Sequence, residues 1–415
     1  MTNFDKLILF LFNLLGLGLC VSEPLSRNLV RMLFTIFIIN IFFKRDLFFY
    51  IKQNIIIKYK KIIMLMSAFI IWMVISSIYG GHLLSEENSL TYWFFFSYNM
   101  FFFIVIAFFI KNENQLYTIL MFIASSLMLD NLYIRLQFSY GILRPDTFLH
   151  GSFMQGSIIY IILLPVILTL LLNKNKYLSN MQYTILWCIF VMSIIAFIFM
   201  NTRGAWLSLM IVLPFILFYY IRDIKKLLTL ALGISILTNI FLITFPGTLN
   251  RIETIINFES EQSVTERFLI WQSSINMIKD NPIMGVGLGN YKDKYQNEYI
   301  MPEAKEHYQM HAHNTYLHFW AETGLPGLCL FCAIFGYTLH WSWRHRQYVF
   351  GMILFSSTLA ILLYSMTDYT YASFSAMRVY WVIFGICLKG VDLIETRDNN
   401  TWNRDELRRD GCRSA

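Results

Sequence analysis

Four histidines lie close together in one polar stretch of the chain, with three glutamates among them. Clusters of this kind can bind zinc or can supply a general base. Two of the histidines have the i, i+4 spacing of a helical zinc site, but the stretch lacks the H-E-x-x-H arrangement. The sequence therefore predicts a single catalytic histidine, with no metal and no cofactor. The residues are His307, His311, His313 and His318, with Glu303, Glu306 and Glu322.

His313 has the best position for base chemistry. The sequence from His313 to Pro326 predicts a short separate helix, because Thr323 can cap a following span whose first turn holds Pro326. His313 would then lie where the membrane meets water. Loop connectivity places Arg267 near it, and Arg203 is a second candidate neighbour. A histidine beside guanidinium groups tends to stay neutral, as a general base must.

The composition identifies the setting for this chemistry. Hydrophobic residues make up 57% of the chain, charged residues make up 14%, and the mean hydropathy is +0.53, whereas soluble domains carry about 25% charged residues. Only helices satisfy their own backbone in a bilayer. Apolar runs of spanning length predict an all-α, polytopic membrane helix bundle of about 12 transmembrane helices. They are centred in 7–21, 29–43, 62–79, 92–110, 116–134, 158–172, 183–200, 204–221, 227–245, 325–343, 348–366 and 373–389.

Lysine and arginine are distributed unevenly between the predicted loops. Loops after even-numbered spans are rich in lysine, whereas the short loops after odd-numbered spans contain none. By the positive-inside rule, the lysine-rich loops and both termini are cytoplasmic. Arginines nevertheless occur at the outward loops. Because a guanidinium can grip a phosphate through two hydrogen bonds, they indicate an anionic lipid headgroup or a lipid diphosphate, with snorkelling helix ends as the alternative. These arginines are Arg27, Arg135, Arg144, Arg203 and Arg378.

The chain divides into four predicted regions. Residues 1–245 hold transmembrane helices 1–9, residues 246–324 form a large periplasmic loop, residues 325–389 hold helices 10–12, and residues 390–415 form a cytoplasmic tail expected to be disordered or loosely helical. In the loop, apolar residues at helical spacing predict an amphipathic helix at the membrane surface or over the mouth of the bundle. The following run 285–290 predicts a tight turn rather than a dinucleotide site, because no strand precedes it. The apolar residues are Val264, Phe268, Trp271, Ile275 and Ile278.

Three motifs resemble those of the O-antigen ligase and polymerase superfamily. The length of the chain, the number of spans and the position of one large loop also resemble this superfamily, so the resemblance covers most of the chain. The motifs are Thr202-Arg203-Gly204-Ala205-Trp206-Leu207, then Arg267-x-x-x-Trp271 leading to Asn281-Pro282-x-x-Gly285-x-Gly287-x-Gly289-Asn290, and finally His313-Asn314-x-x-Leu317 with Glu322 and Gly324.

The resemblance implies a GT-C-like, membrane-embedded glycosyltransferase of the bacterial inner membrane, with its active site facing the periplasm. Its donor would be undecaprenyl diphosphate-linked O-antigen. For a ligase, the acceptor would be a sugar hydroxyl of lipid A-core, which completes lipopolysaccharide. Arg203 and Arg267 match the family arginines that hold the diphosphate, and His313 matches the histidine that activates the acceptor. The transfer would be inverting and metal-independent, with membrane lipids as further partners and no nucleic acid.

Further polar residues at the outer boundary are candidate substrate contacts, because ionisable groups at membrane depth are costly. Arg135 and Arg144 flank a turn at Tyr140 and Gly141, and their charges could meet phosphates of the acceptor core. Hydrogen-bonded structural roles are an equal alternative for the remaining candidates. These are His311, Asn314, Tyr316, Glu322 and Asp368.

Three other functions remain open. An O-antigen polymerase would share the donor chemistry but would extend the glycan on its lipid carrier, and a protein-glycosylating oligosaccharyltransferase is a further relative. Loop lengths and the segment that begins at His313 favour a ligase over these two. A transporter of lipid-linked substrates would also need outward cations. The sequence shows no internal repeat and no charged broken helices at mid-membrane, and a transporter gives no reason for a histidine in an external loop.

Overall fold

The computed structural model describes residues 2–43, 45–81, 90–142, 145–148, 153–223, 225–226 and 262–413. Within these residues the chain is helical and contains no strand, which agrees with the predicted all-α class. The helices are α1 (Asn3–Gly18), α2 (Glu23–Phe43), α3 (Arg45–Ile51), α4 (Lys60–Tyr79), α5 (Leu90–Phe109), α6 (Glu113–Ser139), α7 (Phe153–Leu172), α8 (Asn180–Phe199), α9 (Arg203–Tyr220), α10 (Gln262–Asp280), α11 (Tyr291–Lys294), α12 (Thr315–Arg344), α13 (Val349–Tyr364) and α14 (Phe374–Arg413).

Long apolar helices dominate the described residues. Six of them, α2, α4, α6, α8, α9 and α12, are long and apolar enough to cross a membrane, and shorter apolar helices occur at Tyr98–Phe109, Gly156–Leu172 and Val349–Tyr364. Each predicted span overlaps a helix except 227–245, which lies outside the described residues. The structure is therefore consistent with a helical membrane protein, while the predicted total of spans stays a prediction.

Helix α13 lies at the centre of the part of the bundle that positions the site. It packs against α7, α9, α12 and α14, and most of its side chains are buried. Ser208 of α9 donates to the carbonyl of Ala360 at 2.7 Å, and Ser357 donates to the carbonyl of Ile162 in α7 at 3.0 Å. Small residues and hydrogen bonds between helices give close packing in lipid, where apolar burial does not drive association. The end of α13 at Tyr364 is therefore firmly positioned.

Helix α14 continues without a break to Arg413, so the predicted disordered or loosely helical tail is a regular helix as far as this residue. The extension has few apolar residues, and ion pairs at its start join it to three other segments. Sequence composition did not reveal these pairs, because their partners lie far away in the chain. They are Asp392 with Lys58, Glu395 with His345 at 3.3 Å, and Arg397 with Glu113 at 2.6 Å.

The glycine-rich run after α10 forms a tight turn, as the sequence predicts. Gly285, Gly287 and Gly289 have φ angles of 69°, 92° and 87°, which residues with side chains rarely adopt. The turn lies on α12, because the N–H of Gly287 donates to the carbonyl of Glu322 at 3.0 Å. A Cβ at Gly285 would lie 2.5 Å from the carbonyl carbon of Glu322. The glycines therefore allow the turn to contact the helix backbone directly.

Helix α12 is interrupted at Gly324, where φ is 71° and ψ is −178°. The break separates a short helix, residues 315–323, from the apolar helix that follows, as the sequence predicts. The predicted cap is wrong, because the hydroxyl of Thr323 donates to the carbonyl of Phe319 at 2.6 Å within the short helix. The N–H of Leu325 donates to the carbonyl of Pro282 at 3.0 Å. A Cβ at Gly324 would lie 1.8 Å from the carbonyl oxygen of Ile283, so the close contact between loop and helix requires glycine at this position.

Replacing Gly324 with alanine tests this requirement. The variant combines a left-handed backbone with a clash, so a loss of about 1–3 kcal/mol or more should lower the melting temperature of the purified protein by several degrees. Gly336→Ala is the matched control, because Gly336 lies in the same helix and a Cβ there would meet nothing within 4 Å. That control should be slightly stabilised. Equal melting temperatures for the two variants would contradict the inferred contact.

Candidate active site

Residues 364–370, which run from the last residue of α13 towards α14, are called the hub loop because the predicted site residues meet there. Thr315, the first residue of α12, is bound to it at two points. Its N–H donates to the carbonyl of Ser365 at 2.8 Å, and its hydroxyl donates to the carbonyl of Asp368 at 2.9 Å. These hydrogen bonds fix the first turn of α12 on the hub loop. His313, two residues before Thr315, is thereby held beside the same loop.

His313 and Asp368 form a hydrogen-bonded pair. Nδ1 of His313 lies 3.2 Å from Oδ1 of Asp368, and the two side chains are only 16% and 9% exposed. The carboxylate also accepts from the hydroxyl of Tyr364 at 2.8 Å and from the N–H of Tyr369 at 2.8 Å. Its lone pairs are therefore well satisfied despite burial. With Asp368 ionised, Nδ1 carries the ring proton and Nε2 keeps a free lone pair.

Backbone strain occurs beside both predicted catalytic segments. Among the described residues, the non-glycine positions with left-handed backbone are Asn201, with φ of 53°, and His313, with φ of 47°. Such conformations cost about 1–3 kcal/mol and persist where surrounding contacts enforce them, often at active sites. Asn201 lies two residues before Arg203. The strain thus coincides with the two segments that the sequence motifs single out.

The two predicted diphosphate-binding arginines lie on segments that contact the hub loop. Nη1 of Arg267, in α10, donates to the carbonyl of Thr367 at 2.9 Å. Arg203 is the first residue of α9, and a Cβ on its neighbour Gly204 would lie 2.1 Å from the hydroxyl oxygen of Thr367. The start of α9, Arg267 and His313 therefore converge on residues 367–368.

Helix α10 forms where the sequence predicts, and the protein covers its apolar stripe only in part, because Ile278 is buried whereas Phe268 and Ile275 are exposed. Phe268 and Ile275 of that stripe are 54% and 41% exposed. The face that packs on the protein is partly polar, because Ser274 bonds the hydroxyl of Tyr291 at 2.7 Å and Glu266 accepts backbone N–H groups of the following loop. Apolar spacing reveals a helix face without telling whether protein or lipid covers it. The exposed stripe agrees with the predicted position at a membrane surface.

Burial and neighbouring charges set the protonation of the site. Burial acts to raise the pKa of Asp368, but the hydrogen bond from His313, together with the positive charge of Arg267, holds that pKa well below its usual value. The carboxylate therefore stays ionised. Burial, with help from His313, lowers the pKa of His311 to about 3, so His311 stays neutral. The ring of His311 lies 4.3 Å from that of His313 and 5.5 Å from that of Tyr369, measured between centroids.

One group of described side chains has the composition and spacing to hold a metal ion. The ligand atoms of His311, His313 and Asp368 all lie within 4.8 Å of one another. His307 does not belong to this group, because it is exposed in an irregular segment and cannot share a helix face with His311. The zinc arrangement indicated by i, i+4 spacing is therefore absent from the described residues, and a different triad takes its place.

Asn314 and Tyr316 hold the start of α12 in position. The side-chain oxygen of Asn314 caps the helix by accepting from the N–H groups of Tyr316 and Leu317 at 3.0 and 3.1 Å, and its Nδ2 donates to the carbonyl of Met366 at 3.1 Å. The hydroxyl of Tyr316 donates to the carbonyl of Leu362 at 2.9 Å. These contacts give both residues a structural task beside the predicted site.

Glu322 is buried beneath the glycine-rich turn. One carboxylate oxygen accepts from the N–H of Gly289 at 2.8 Å, and the other lies 3.2 Å from Nε2 of His318. The ring of His318 packs on that of Tyr369, with centroids 3.9 Å apart. Glu322 and His318 thus connect the turn to the hub loop, through the carboxylate of Glu322 and through Nε2 and the ring of His318.

Arg378, another predicted outward arginine, has a structural role. Its side chain is 1% exposed, and it donates to the hydroxyl of Ser26 at 2.8 Å and to Glu23 at 3.2 Å. Arg27 also pairs with Glu23, at 3.4 Å. Arg378 therefore joins α14 to α2, and Arg27 makes its ion pair within α2. Both arginines have partners in the protein.

Arg135 lies on the same side of the bundle as the start of α9. It is exposed on α6 and lines an open groove with Phe199, four residues before Arg203. Its charge is therefore accessible to a ligand such as the acceptor phosphate that the sequence predicts. Arg144, its predicted companion, lies outside the described residues.

Sequence analysis missed two residues of the site. Tyr364 donates to Asp368, and the carbonyl of Thr367 accepts from Arg267. The i, i+4 spacing of Tyr364 and Asp368 at the end of an apolar span was the available indication, because side chains one turn apart can meet. Thr367 contributes a backbone oxygen, which no residue pattern identifies.

These observations define a polytopic helical protein with a histidine–aspartate pair and two arginine-bearing segments at one end of the bundle. Residues 188–332 match the family described as O-antigen ligase. The matched stretch is about a third of the chain and includes Arg203, Arg267 and His313. No curated protein shows a significant match. The family match supports the O-antigen ligase and polymerase superfamily and an enzyme of its glycosyltransferase-like type.

Acid should destabilise the protein through His311. The unfolded chain protonates this histidine near its ordinary pKa of 6.5, whereas the folded protein resists protonation until about pH 3. The unfolded state therefore binds more protons in this window, and stability is lost as the pH falls below 6.5. The melting temperature of the wild type should drop more between about pH 7.5 and about pH 5 than that of His311→Gln.

The control for this measurement is His307→Gln, which changes an exposed histidine of the same loop. Its melting temperature should follow the wild-type pH profile. Parallel profiles for the wild type and both variants would mean that His311 titrates alike in the folded and unfolded chain, contrary to its burial.

Proposed function

We propose that this protein is an O-antigen ligase, which transfers glycan from undecaprenyl diphosphate to a sugar hydroxyl of lipid A-core. The observation that carries the proposal is the convergence of His313, Arg267 and the start of α9 on residues 367–368. The motif residues at these three positions all fall within the stretch that matches the family. The lysine bias of the loops supports an inner-membrane location with the site facing the periplasm and both termini cytoplasmic.

His313 is the proposed general base. Asp368 accepts a hydrogen bond from Nδ1–H of His313. The lone pair of Nε2 is therefore free to take the proton of the acceptor hydroxyl. A sugar hydroxyl is a weak nucleophile, and a positioned base contributes about 10²–10⁴-fold to such reactions. Because Asp368 is ionised, it also stabilises the imidazolium that forms when His313 takes the proton. Asp368 is thus a positioning residue that acts through His313.

Arg203 and Arg267 are the proposed donor-binding groups. A guanidinium matches phosphate oxygens bidentately, and one such electrostatic contact to a developing charge is typically worth about 3 kcal/mol. The start of α9 adds the partial positive charge of a helix N-terminus. The hydroxyl of Thr202, the residue before Arg203, makes no capping bond to this helix and instead bonds Ser157 at 2.8 Å. The first turn of α9 is therefore suited to an anion.

In the proposed step, one bond forms and one bond breaks at the anomeric carbon, and one proton moves to His313. The acceptor oxygen attacks the anomeric carbon while the bond from that carbon to the diphosphate oxygen breaks. The hydroxyl proton passes to His313, and the electron pair leaves with undecaprenyl diphosphate. Attack opposite the leaving group inverts the anomeric configuration. A diphosphate neutralised by two guanidinium groups leaves readily, so the step as proposed uses neither a metal ion nor a nucleotide.

The acceptor distinguishes a ligase from its relatives, since a polymerase and an oligosaccharyltransferase use the same kind of donor. Loop lengths and the segment that begins at His313 favour the ligase, and the family that matches is described as O-antigen ligase. Arg135 is exposed on a groove that it shares with Phe199, a residue close to the start of α9, and it supplies a cation for the phosphates of an acceptor core. A transporter would have no use for a strained histidine paired with an aspartate.

Substitution of the three motif residues tests the mechanism. In transfer assays with purified protein, donor and acceptor, His313→Ala should lower the rate by about 10²–10⁴-fold. Arg267→Lys should lower it by about 10-fold or more, because lysine cannot bind bidentately. His307→Ala changes an exposed histidine of the same loop and should keep the wild-type rate, and EDTA should leave the wild-type rate unchanged. Wild-type transfer by His313→Ala would refute the base assignment.

A deletion strain distinguishes the ligase from the polymerase. Loss of a ligase should leave lipopolysaccharide core without any attached repeat, while lipid-linked polymer accumulates. Loss of a polymerase should instead leave core that bears a single repeat. Gel profiles of the lipopolysaccharide read out both outcomes, and a single-repeat profile would replace the ligase proposal with the polymerase.

A further inference from the structure

His311, His313 and Asp368 form the triad, and the proposed transfer gives no role to His311. The base mechanism requires only the contact between His313 and Asp368. His311 lies edge-on to His313, and its buried Nδ1 has no hydrogen-bond partner among the residues that the structure describes. A buried imidazole nitrogen with no partner is costly, and it is also a free ligand atom. Its presence beside a second imidazole and a carboxylate is the observation that needs an explanation.

The distances in the triad suit a tetrahedral metal ion. Zinc binds imidazole nitrogen and carboxylate oxygen at about 2.0–2.2 Å, so two of its ligand atoms lie about 3.3–3.5 Å apart. Nδ1 of His313 and Oδ1 of Asp368 are 3.2 Å apart, close to that separation. All three ligand atoms lie within 4.8 Å of one another, so His311 would need to approach by roughly 1.5 Å.

We propose that His311, His313 and Asp368 bind a divalent transition-metal ion of the zinc type, and that the bound ion blocks glycan transfer. Two imidazoles and one carboxylate leave a fourth position for water, which is a common zinc arrangement. Imidazole ligands favour zinc and its neighbours over magnesium or calcium, which prefer oxygen. Arg267 beside the triad opposes a cation, so only ions with strong nitrogen affinity compete. The blocking part rests on the proposed function, because it assumes that His313 is the base.

Metal binding would reverse the proton arrangement of His313. In the transfer reaction Nδ1–H donates to Asp368 and Nε2 is free to accept a proton. When the ion takes the lone pair of Nδ1, the single proton of the neutral ring must sit on Nε2. Nε2 then has no lone pair for the acceptor hydroxyl, and Asp368 is engaged by the ion. The same three side chains therefore serve either the reaction or the metal, but not both.

Binding is measured first, on full-length protein purified without a polyhistidine tag. Titration with Zn²⁺ should show one site that Mg²⁺ at the same concentration does not fill, and Co²⁺ should give the visible absorption of a tetrahedral complex. His311→Ala should weaken the affinity by at least about 10-fold. His307→Ala, at an exposed histidine outside the triad, should bind like the wild type. Both variants keep Cys329 and Cys332, which are exposed, so any thiol binding persists in each.

Equal Zn²⁺ affinity in the wild type and His311→Ala, or the absence of a tetrahedral Co²⁺ spectrum, would overturn the metal site. Either result would leave the base assignment of His313 untouched.

Inhibition is measured second, as the rate with Zn²⁺ divided by the rate of the same protein without it. The wild type and His307→Ala should lose transfer as the site fills and regain it with EDTA. The Zn²⁺ concentration for half-inhibition of His311→Ala should rise by the same factor as its weakened affinity. If Zn²⁺ binds the triad and transfer continues at full rate, the blocking proposal fails. The transfer rate of His313→Ala, measured without metal, then decides separately whether the base role of His313 also fails.

Discussion

The buried carboxylate of Asp368 is the interaction on which the arrangement of the site depends. An ionised carboxylate removed from water costs several kcal/mol unless hydrogen bonds and charges replace the water. Here the replacements come from different parts of the chain: Tyr364 at the end of α13, His313 before α12, and the N–H of Tyr369 in the hub loop. Satisfying one charge therefore requires that these elements meet in one geometry. Removal of any donor would leave part of a buried charge unpaired.

The bundle makes that geometry rigid, and the large loop completes it. Helix α13 is packed by α7, α9, α12 and α14, so Tyr364 and the hub loop have little freedom. The loop reaches the same place by two attachments, one through Arg267 on Thr367 and one through the glycine-rich turn on Glu322. Because both attachments bind backbone groups or buried side chains, they position α10 without occupying Nε2 of His313. Among the described residues, these attachments thus leave the proposed base atom to a substrate.

Residue types in the sequence indicated the candidate site residues, whereas their spatial arrangement could not be predicted. Apolar run lengths predicted the helices, and Pro326 in the first turn of a span predicted the break in α12, because both effects are local. His313 and Arg267 stood out because of their residue types and their positions in the predicted loop. Their convergence depends on Thr367, which contributes a carbonyl oxygen and leaves no trace in the sequence. Arg378 shows the opposite error, since an arginine at an outward position looked like a ligand site, but its two terminal nitrogens donate to Ser26 and Glu23.

The orientation of α10 connects the site to the membrane. Amphipathic spacing predicted this helix, but only the structure shows that Phe268 and Ile275 face outward while Arg267 turns towards the hub loop. An exposed apolar stripe of this kind is stable where lipid covers it, at the boundary of the bilayer. The guanidinium of Arg267, on the same helix, faces the hub loop. That arrangement fits a donor whose diphosphate enters the site while its polyprenyl chain stays in the lipid, so that no apolar cavity within the bundle is needed to accommodate the chain.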